Sequence, residues 1–189
     1  MSVPTIPEHG GGAAVRNTPV PYRFTPTQVE RAQLRATELG KLRGSITGGA
    51  SNVYGLLGEE IIAAFLGARL ENRKPQLFQY DIVLPDGSTA DVKTKKTTSR
   101  TAPKQHYTAT VWGGNTKQLC DRYIFVRICA DLDARLAWIC GQMPKEEFMN
   151  TATFYKRGQT DAENGYKVHA DCYNMRIDHL HPVRSPNPW

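Results

Sequence analysis

The stretch from Tyr80 to Lys96, YDIVLPDGSTADVKTKK, constrains the fold more than any other part of the chain. Two alternating runs flank Pro85-Asp86-Gly87, which reads as a three-residue hairpin loop. In such a loop a type I turn is closed by a residue in the left-handed conformation, here Gly87, where a Cβ is costly. That loop sets the register. Leu84 faces Ser88, Ile82 faces Ala90 and Tyr80 faces Val92 on an apolar face; Val83 faces Thr89, Asp81 faces Asp91 and Gln79 faces Lys93 on a polar one. Opposed Cβ atoms lie roughly 4.5–5.5 Å apart, so Asp81 and Asp91 repel each other unless a cation or a proton lies between them. A two-residue loop would put the two aspartates on opposite faces.

The polar face admits two readings. In one it is a solvated sheet surface, with Asp91 and Lys93 as ordinary exposed charges. In the other it is a divalent-cation site: Mg²⁺ takes oxygen ligands and keeps several waters, so one or two carboxylates with phosphate oxygens suit it. A lysine two residues from such a ligand, on the same face, can offset charge developing on a phosphate or help deprotonate a water.

The preceding segment, VYGLLGEEIIAAFLGARL from Val53 to Leu70, reads as a helix with a wide apolar surface. Leu56, Ile62, Ala63 and Leu66 flank Glu59 at offsets of three, four and seven, while Leu57, Ile61, Ala64 and Phe65 surround Glu60. A helix so apolar turns at least one of its two glutamates inward, and a buried carboxylate is normally protonated, paired or metal-bound. The competing reading leaves both glutamates at the helix edge, in water.

Taken in order, these pieces resemble the PD-(D/E)XK nuclease superfamily, the restriction-endonuclease-like fold. The matching residues are Gly58-Glu59 with Ala63 and Leu66, then Asp81, then Asp91-Val92-Lys93. The resemblance covers about residues 53 to 143 and departs from the family's pattern at Tyr80, where a proline is usual. It implies an α/β fold with a mixed central β-sheet flanked by helices, and a metal-dependent DNA nuclease that hydrolyses phosphodiester bonds. Glu59, Asp81, Asp91 and Lys93 are the implied catalytic residues. Asp81, Asp91, the Val92 carbonyl and Glu59 are the implied ligands of Mg²⁺, with Mn²⁺ as its substitute; Glu60 is the alternative to Glu59. Within that fold the expectation is an endonuclease of structure-selective or low sequence specificity, with a Holliday junction resolvase or an exonuclease as alternatives. A catalytically silent DNA-binding module is the alternative of another class.

The rest of the chain sets the context. Its 189 residues suit one domain, expected over 26–189 after a loose arm at 1–25. The N-terminal MSVPTIPEHGGG lacks a basic region followed by an apolar run, and no apolar run is long enough to cross a bilayer. A cytoplasmic chain without membrane contact is therefore expected. Cys120, Cys129, Cys140 and Cys172 are too widely spaced for a zinc motif and read as reduced core residues. Thr25-Pro26 opens a helix to about Leu42, carrying Arg31, Arg35, Lys41 and Arg43. Gly44–Asn52 is a linker that lacks the lysine-serine ending of a phosphate-binding loop.

From Val92 to Cys120 the chain has no Asp or Glu, against Lys93, Lys95, Lys96, Arg100, Lys104 and Lys117, in a chain of net charge +6. With His106, Tyr107 and Trp112 interleaved, this is either a basic solvated loop or a nucleic-acid surface. The second reading names Lys95, Lys96, Arg100, Lys104, His106, Tyr107 and Lys117 as contacts. Arg122–Ala130 and Leu136–Met143 read as strands, PKEEFMN as a short helix, Thr151–Gly165 as loop, and Tyr166–Ala170 and Cys172–Ile177 as two more strands. The helix that the superfamily usually places after its D-x-K strand is short or missing. His179 and His181 lack a third metal ligand at a recognised spacing. The proline-rich tail to Trp189 reads as an extended end. No dimer signal is visible, although cutting both strands of a duplex or a junction would favour a twofold homodimer.

Overall fold

The computed structural model describes residues 17–39, 52–71 and 79–186. It is α/β, with a mixed six-stranded sheet, a smaller three-stranded sheet and, among the described residues, three α-helices. The strands are β1 (Val20–Arg23), β2 (Arg69–Leu70), β3 (Ile82–Val83), β4 (Thr89–Thr97), β5 (Thr108–Trp112), β6 (Arg122–Cys129), β7 (Leu136–Pro144), β8 (Thr153–Tyr155) and β9 (Cys172–Arg176). The helices are α1 (Pro26–Leu39), α2 (Asn52–Leu66) and α3 (Lys145–Thr151). The larger sheet runs β1-β7-β6-β4-β3-β2 and the smaller β5-β9-β8. Only β4 and β6 pair in parallel within these sheets.

Two of the helix starts have a local cause. The Thr25 hydroxyl accepts from the Gln28 N–H at 3.2 Å while the Gln28 side chain accepts from the Thr25 N–H at 2.9 Å, a reciprocal cap for α1. Pro144 precedes the first turn of α3, where Glu146 and Glu147 meet the positive end of the helix dipole.

Two apolar cores lie on opposite sides of the large sheet. Leu56, Leu57, Ile61, Ile62 and Phe65 of α2 pack with Ile82, Ala90, Val92, Ile124 and Val126 in the first. Tyr123, Phe125, Trp138 and Phe148 pack with Ala109, Val111 and Met175 of the small sheet in the second. Helices thus cover one face of the large sheet; the small sheet and α3 cover the other.

The hairpin register holds where it is tightest. Ile82 pairs with Ala90, Val83 pairs with Thr89, and the Leu84 N–H donates to the Ser88 carbonyl at 2.8 Å. Gly87 has φ of +84°, the left-handed conformation expected of it.

Beyond Ile82 the expected pairing ends. The Asp81 N–H donates at 2.9 Å to the carbonyl of Ala90, the residue already opposite Ile82. Two residues therefore stand against one, the signature of a bulge, and the alternation shifts by one place. Tyr80 accordingly packs with the second core instead of sharing a face with Ile82. The expected oppositions of Asp81 with Asp91, Tyr80 with Val92 and Gln79 with Lys93 are absent from the described ladder.

Other expectations change as well. The end of the arm forms β1, an edge strand whose Val20 and Tyr22 pair with Ile139 and Ala137. The basic stretch contains β5, and Thr151–Gly165 contains β8. Tyr166–Ala170 forms no strand beyond a single bridge from Lys167 to Thr160. Because parallel neighbours need a crossover, the chain between β4 and β6 must cross over, and it does so through β5 in the small sheet. Positions 1–16 of the arm, the linker from Gly44 to Ser51 with Lys41 and Arg43, and the last residues to Trp189 lie outside the described residues. Among the described residues no helix is long and apolar enough to cross a membrane. The four cysteines are buried and form no disulfide.

Candidate active site

Strand β4 organises the site because its side chains alternate between the two cores. Ala90 and Val92 enter the core beneath α2. Asp91, 2% exposed, points to the other side. Lys93 shares that side, and its Nζ lies 2.8 Å from Asp91 Oδ1. The same ammonium donates to Gln118 Oε1 at 2.9 Å and sits 5.5 Å from the centre of the Tyr123 ring. Gln118 is itself anchored, its carbonyl accepting from Lys145 Nζ at the start of α3.

Asp81 reaches the same strand by another route. At 9% exposure, its Oδ2 accepts from the Val92 N–H at 2.7 Å. The Ala90 carbonyl and the Val92 N–H thus both point towards β3. In an extended strand the N–H and carbonyl of one residue point the same way, so the Val92 carbonyl is directed to that side too. The bulge that ends the β3 pairing is what frees the Asp81 side chain to cap the Val92 amide.

The negative charge of Asp91 reaches its neighbours. Burial first, and then Asp91, push the Cys120 thiol up to about 11. The Tyr123 phenol is pushed well above its ordinary value by burial, Cys120 and Asp91. Tyr123 is fully buried and its hydroxyl has no hydrogen-bond partner among the described residues.

Glu59 and Glu60 are 4% and 5% exposed, so both are buried and neither lies at a wet helix edge. Arg35 of α1 joins them: its Nη2 is 2.9 Å from Glu59 Oε2 and its Nη1 is 3.2 Å from Glu60 Oε1. Arg31 approaches Glu60 at 4.0 Å, and the Gln28 amide donates to the Glu60 carbonyl at 3.3 Å. Gln28, Ala32 and Arg35, at helical offsets of four and seven, form the stripe of α1 that faces α2.

Gly58 marks the opposite side of α2, because a Cβ there would lie 2.0 Å from Thr94 Oγ1 of β4. Each helical residue turns about 100°, so Glu59 stays nearer β4 than Glu60 does.

The structure therefore brings Asp81, Asp91, Val92 and Lys93 together on β4 and its neighbour, and gathers Glu59 and Glu60 around Arg35. Among the described residues no group of three or more His, Cys, Asp or Glu side chains stands ready to hold a metal ion. In kind the donors suit the Mg²⁺ that the resemblance implies: buried carboxylates and a backbone carbonyl are the hard oxygen ligands it takes.

The expected nucleic-acid residues scatter. Lys95 is exposed and shares a face with Asp91 and Lys93, whereas Lys96 turns to the α2 side and lies 5.2 Å from the centre of the Tyr54 ring. Arg100 pairs with Asp131. Lys104, His106 and Lys117 are exposed. The Tyr107 ring packs on the second core and under Arg127 at 5.2 Å. His181 Nε2 lies 2.9 Å from Glu147 Oε1.

Reading the sequence for motifs passed over Arg35, Gln118, Tyr123 and Arg127. Two of them carried a signal: Arg35 ends the α1 stripe, and Arg127 interrupts the apolar run that follows Arg122 in RYIFVRICA.

No protein-family description and no curated protein matches the chain.

Proposed function

We infer that this chain is a metal-dependent nuclease of the restriction-endonuclease-like fold, hydrolysing phosphodiester bonds in DNA within the cytoplasm. The observation that carries the reading is the 2.8 Å contact of Lys93 with Asp91 on one face of β4, with Asp81 fixed to the intervening Val92. A solvated sheet surface does not require a buried aspartate, a part-buried lysine and a second buried aspartate at one point.

In this reading Asp81, Asp91 and the Val92 carbonyl hold Mg²⁺, with Glu59 as the helix carboxylate. Bound there, the cation supplies a Lewis acid that withdraws charge from the phosphodiester and makes water acidic enough to attack near neutral pH. The residues of the chain do the rest. Lys93, oriented by Asp91 and Gln118, presents its ammonium to a non-bridging phosphate oxygen and offsets the charge that builds there. The Val92 amide fixes the Asp81 carboxylate. Water adds to phosphorus, one ester oxygen leaves with a proton, and a phosphate monoester and a hydroxyl result.

A second reading, a DNA-binding module without catalysis, draws support from Arg35, which already neutralises both helix glutamates. Supercoiled plasmid, linear duplex, single strands and a four-way junction, each incubated with Mg²⁺, Mn²⁺ or EDTA, separate the two. Metal-dependent cleavage is expected, and the ranking of substrates distinguishes endonuclease, exonuclease and resolvase. Salt-sensitive binding with no cleavage in either metal would leave only the binding module.

A further inference from the structure

Two residues along β4 from Lys93, on the same face, stands Lys95. In the parallel register of β4 with β6 it lies beside Arg127, as Asp91 lies beside Tyr123 and Lys93 beside Phe125. Two cations on adjacent strands, pointing the same way, repel each other. Other part-buried cations do face carboxylates: Lys93 with Asp91, Arg176 with Asp178, Arg122 with Asp86. Among the described residues neither Lys95 nor Arg127 has an ion pair.

The groups around Lys95 explain why. The Arg127 guanidinium donates to the Thr108 carbonyl at 3.1 Å and covers the Tyr107 ring, both neutral partners. Cys140 of β7 and Cys172 of β9 are buried thiols. Asp161, 1% exposed, is a carboxylate whose charge acts on Lys95. Its oxygens already accept from Asn174 Nδ2 at 2.7 Å, the Glu163 N–H at 2.9 Å, the Tyr155 hydroxyl at 3.2 Å and Asn164 Nδ2 at 3.3 Å. That carboxylate is committed to holding its own loop.

We propose that Lys95 and Arg127 form a phosphate subsite, which holds the phosphate next to the one presented to Lys93 on the same nucleic-acid strand. It rests on the nuclease reading of the Asp91–Lys93 site and adds the direction in which the strand runs: along β4, from Asp91 towards Thr97. Two residues of strand span about 6.7 Å, comparable to the spacing of successive phosphates in one polynucleotide strand. A phosphate there replaces the missing carboxylate, satisfies two cations at once and relieves their repulsion. Lys95 keeps a solvent-accessible side chain although protein atoms crowd it; that crowding first, and Arg127 second, push its pKa down to about 8. A bound phosphate favours its charged form.

The test is anisotropy of a labelled oligonucleotide, single-stranded and duplex, in EDTA, with salt varied from about 50 to 200 mM. Lys95→Gln is expected to weaken binding several-fold and to reduce the salt slope by about one. Lys95→Arg is expected to retain both. Raising the pH from about 7 to 9 is expected to weaken wild-type binding through Lys95, and Lys95→Arg to lose that step because its charge persists. Arg127→Gln is expected to match Lys95→Gln, with a thermal melt checking that losing its bond to Thr108 leaves the fold intact. Wild-type affinity, slope and pH step in Lys95→Gln, alongside wild-type cleavage by the unaltered chain, would overturn the subsite alone. No binding of any oligonucleotide by the unaltered chain, together with no cleavage, would overturn both the subsite and the nuclease reading.

Discussion

The two faces of β4 bury charge in different ways. On the α2 side, Glu59 and Glu60 are held by one arginine from a neighbouring helix, next to a glycine that lets helix and strand touch. On the other side, Asp91 is held by a lysine from its own strand, two residues away, at a place the chain reaches through a bulge. The first arrangement clamps α1 to α2 and also holds the Glu59 of the nuclease reading. The second ties β4 to itself, to the edge of β3 and, through Gln118 and Lys145, to the start of α3. A lysine and an aspartate paired within one strand, beside a second buried carboxylate, are candidates for function, since working sites commonly keep groups that stability alone would not select.

The contrast can be tested from both sides. The largest stability effect is expected at Arg35. Arg35→Met removes the guanidinium closest to two buried carboxylates, and breaking such a pair costs about 3 kcal/mol; urea unfolding reads the loss. Retention of full stability would remove the clamp from the account.

Gly58→Ala comes next. Its Cβ would meet Thr94 Oγ1 at 2.0 Å, and overpacking at such a contact costs about 1–3 kcal/mol. Thr94→Ala in the same chain is expected to restore part of that loss, which a double-mutant cycle measures.

The smallest effect belongs to Lys95. Its pKa, about 8 in the fold against 10.5 unperturbed, means that between these values the unfolded chain binds the proton that the folded chain has released. Stability contributed by this group therefore rises with pH from about 8 to 10.5, and below that window the charged lysine is mildly destabilising. Lys95→Gln is expected to raise the melting temperature slightly at pH 7 and to flatten the rise. A lower melting temperature at pH 7 would show that Lys95 is already well paired.

How legible each face was follows from where its partners lie in sequence. The α2 face is local: GLLGEEIIAAFL declares a buried helix, and the PDG turn fixes Ile82 and Val83 against Ala90 and Thr89. The other face is covered by β5, β8 and β9, three- to five-residue strands whose pairings join Thr108–Trp112 to Cys172–Arg176. Of these, β9 was legible in the alternation of Cys172–Ile177, whereas β8 is too short to announce itself and β5 lay hidden in a stretch dominated by charge. The bulge at Asp81 was illegible for another reason. Alternation in Tyr80–Val83 fits the regular register, and the Val92 amide that draws the Asp81 carboxylate belongs to the opposite strand. Asp91, Val92 and Lys93 could be read as a unit because they are consecutive, whereas Arg35 and Arg127 acquire their roles only through tertiary contact.

The most direct measurement is the initial rate of Mg²⁺-dependent plasmid cleavage by Asp91→Asn beside the unaltered chain, with both confirmed folded by their melting curves. A loss of at least about 100-fold is expected, the scale of removing a group that acts on the transition state, in protein that is still folded at the assay temperature. Cleavage by Asp91→Asn at the unaltered rate, or no cleavage by either protein, would contradict the claim that the Asp91–Lys93 face is a catalytic site.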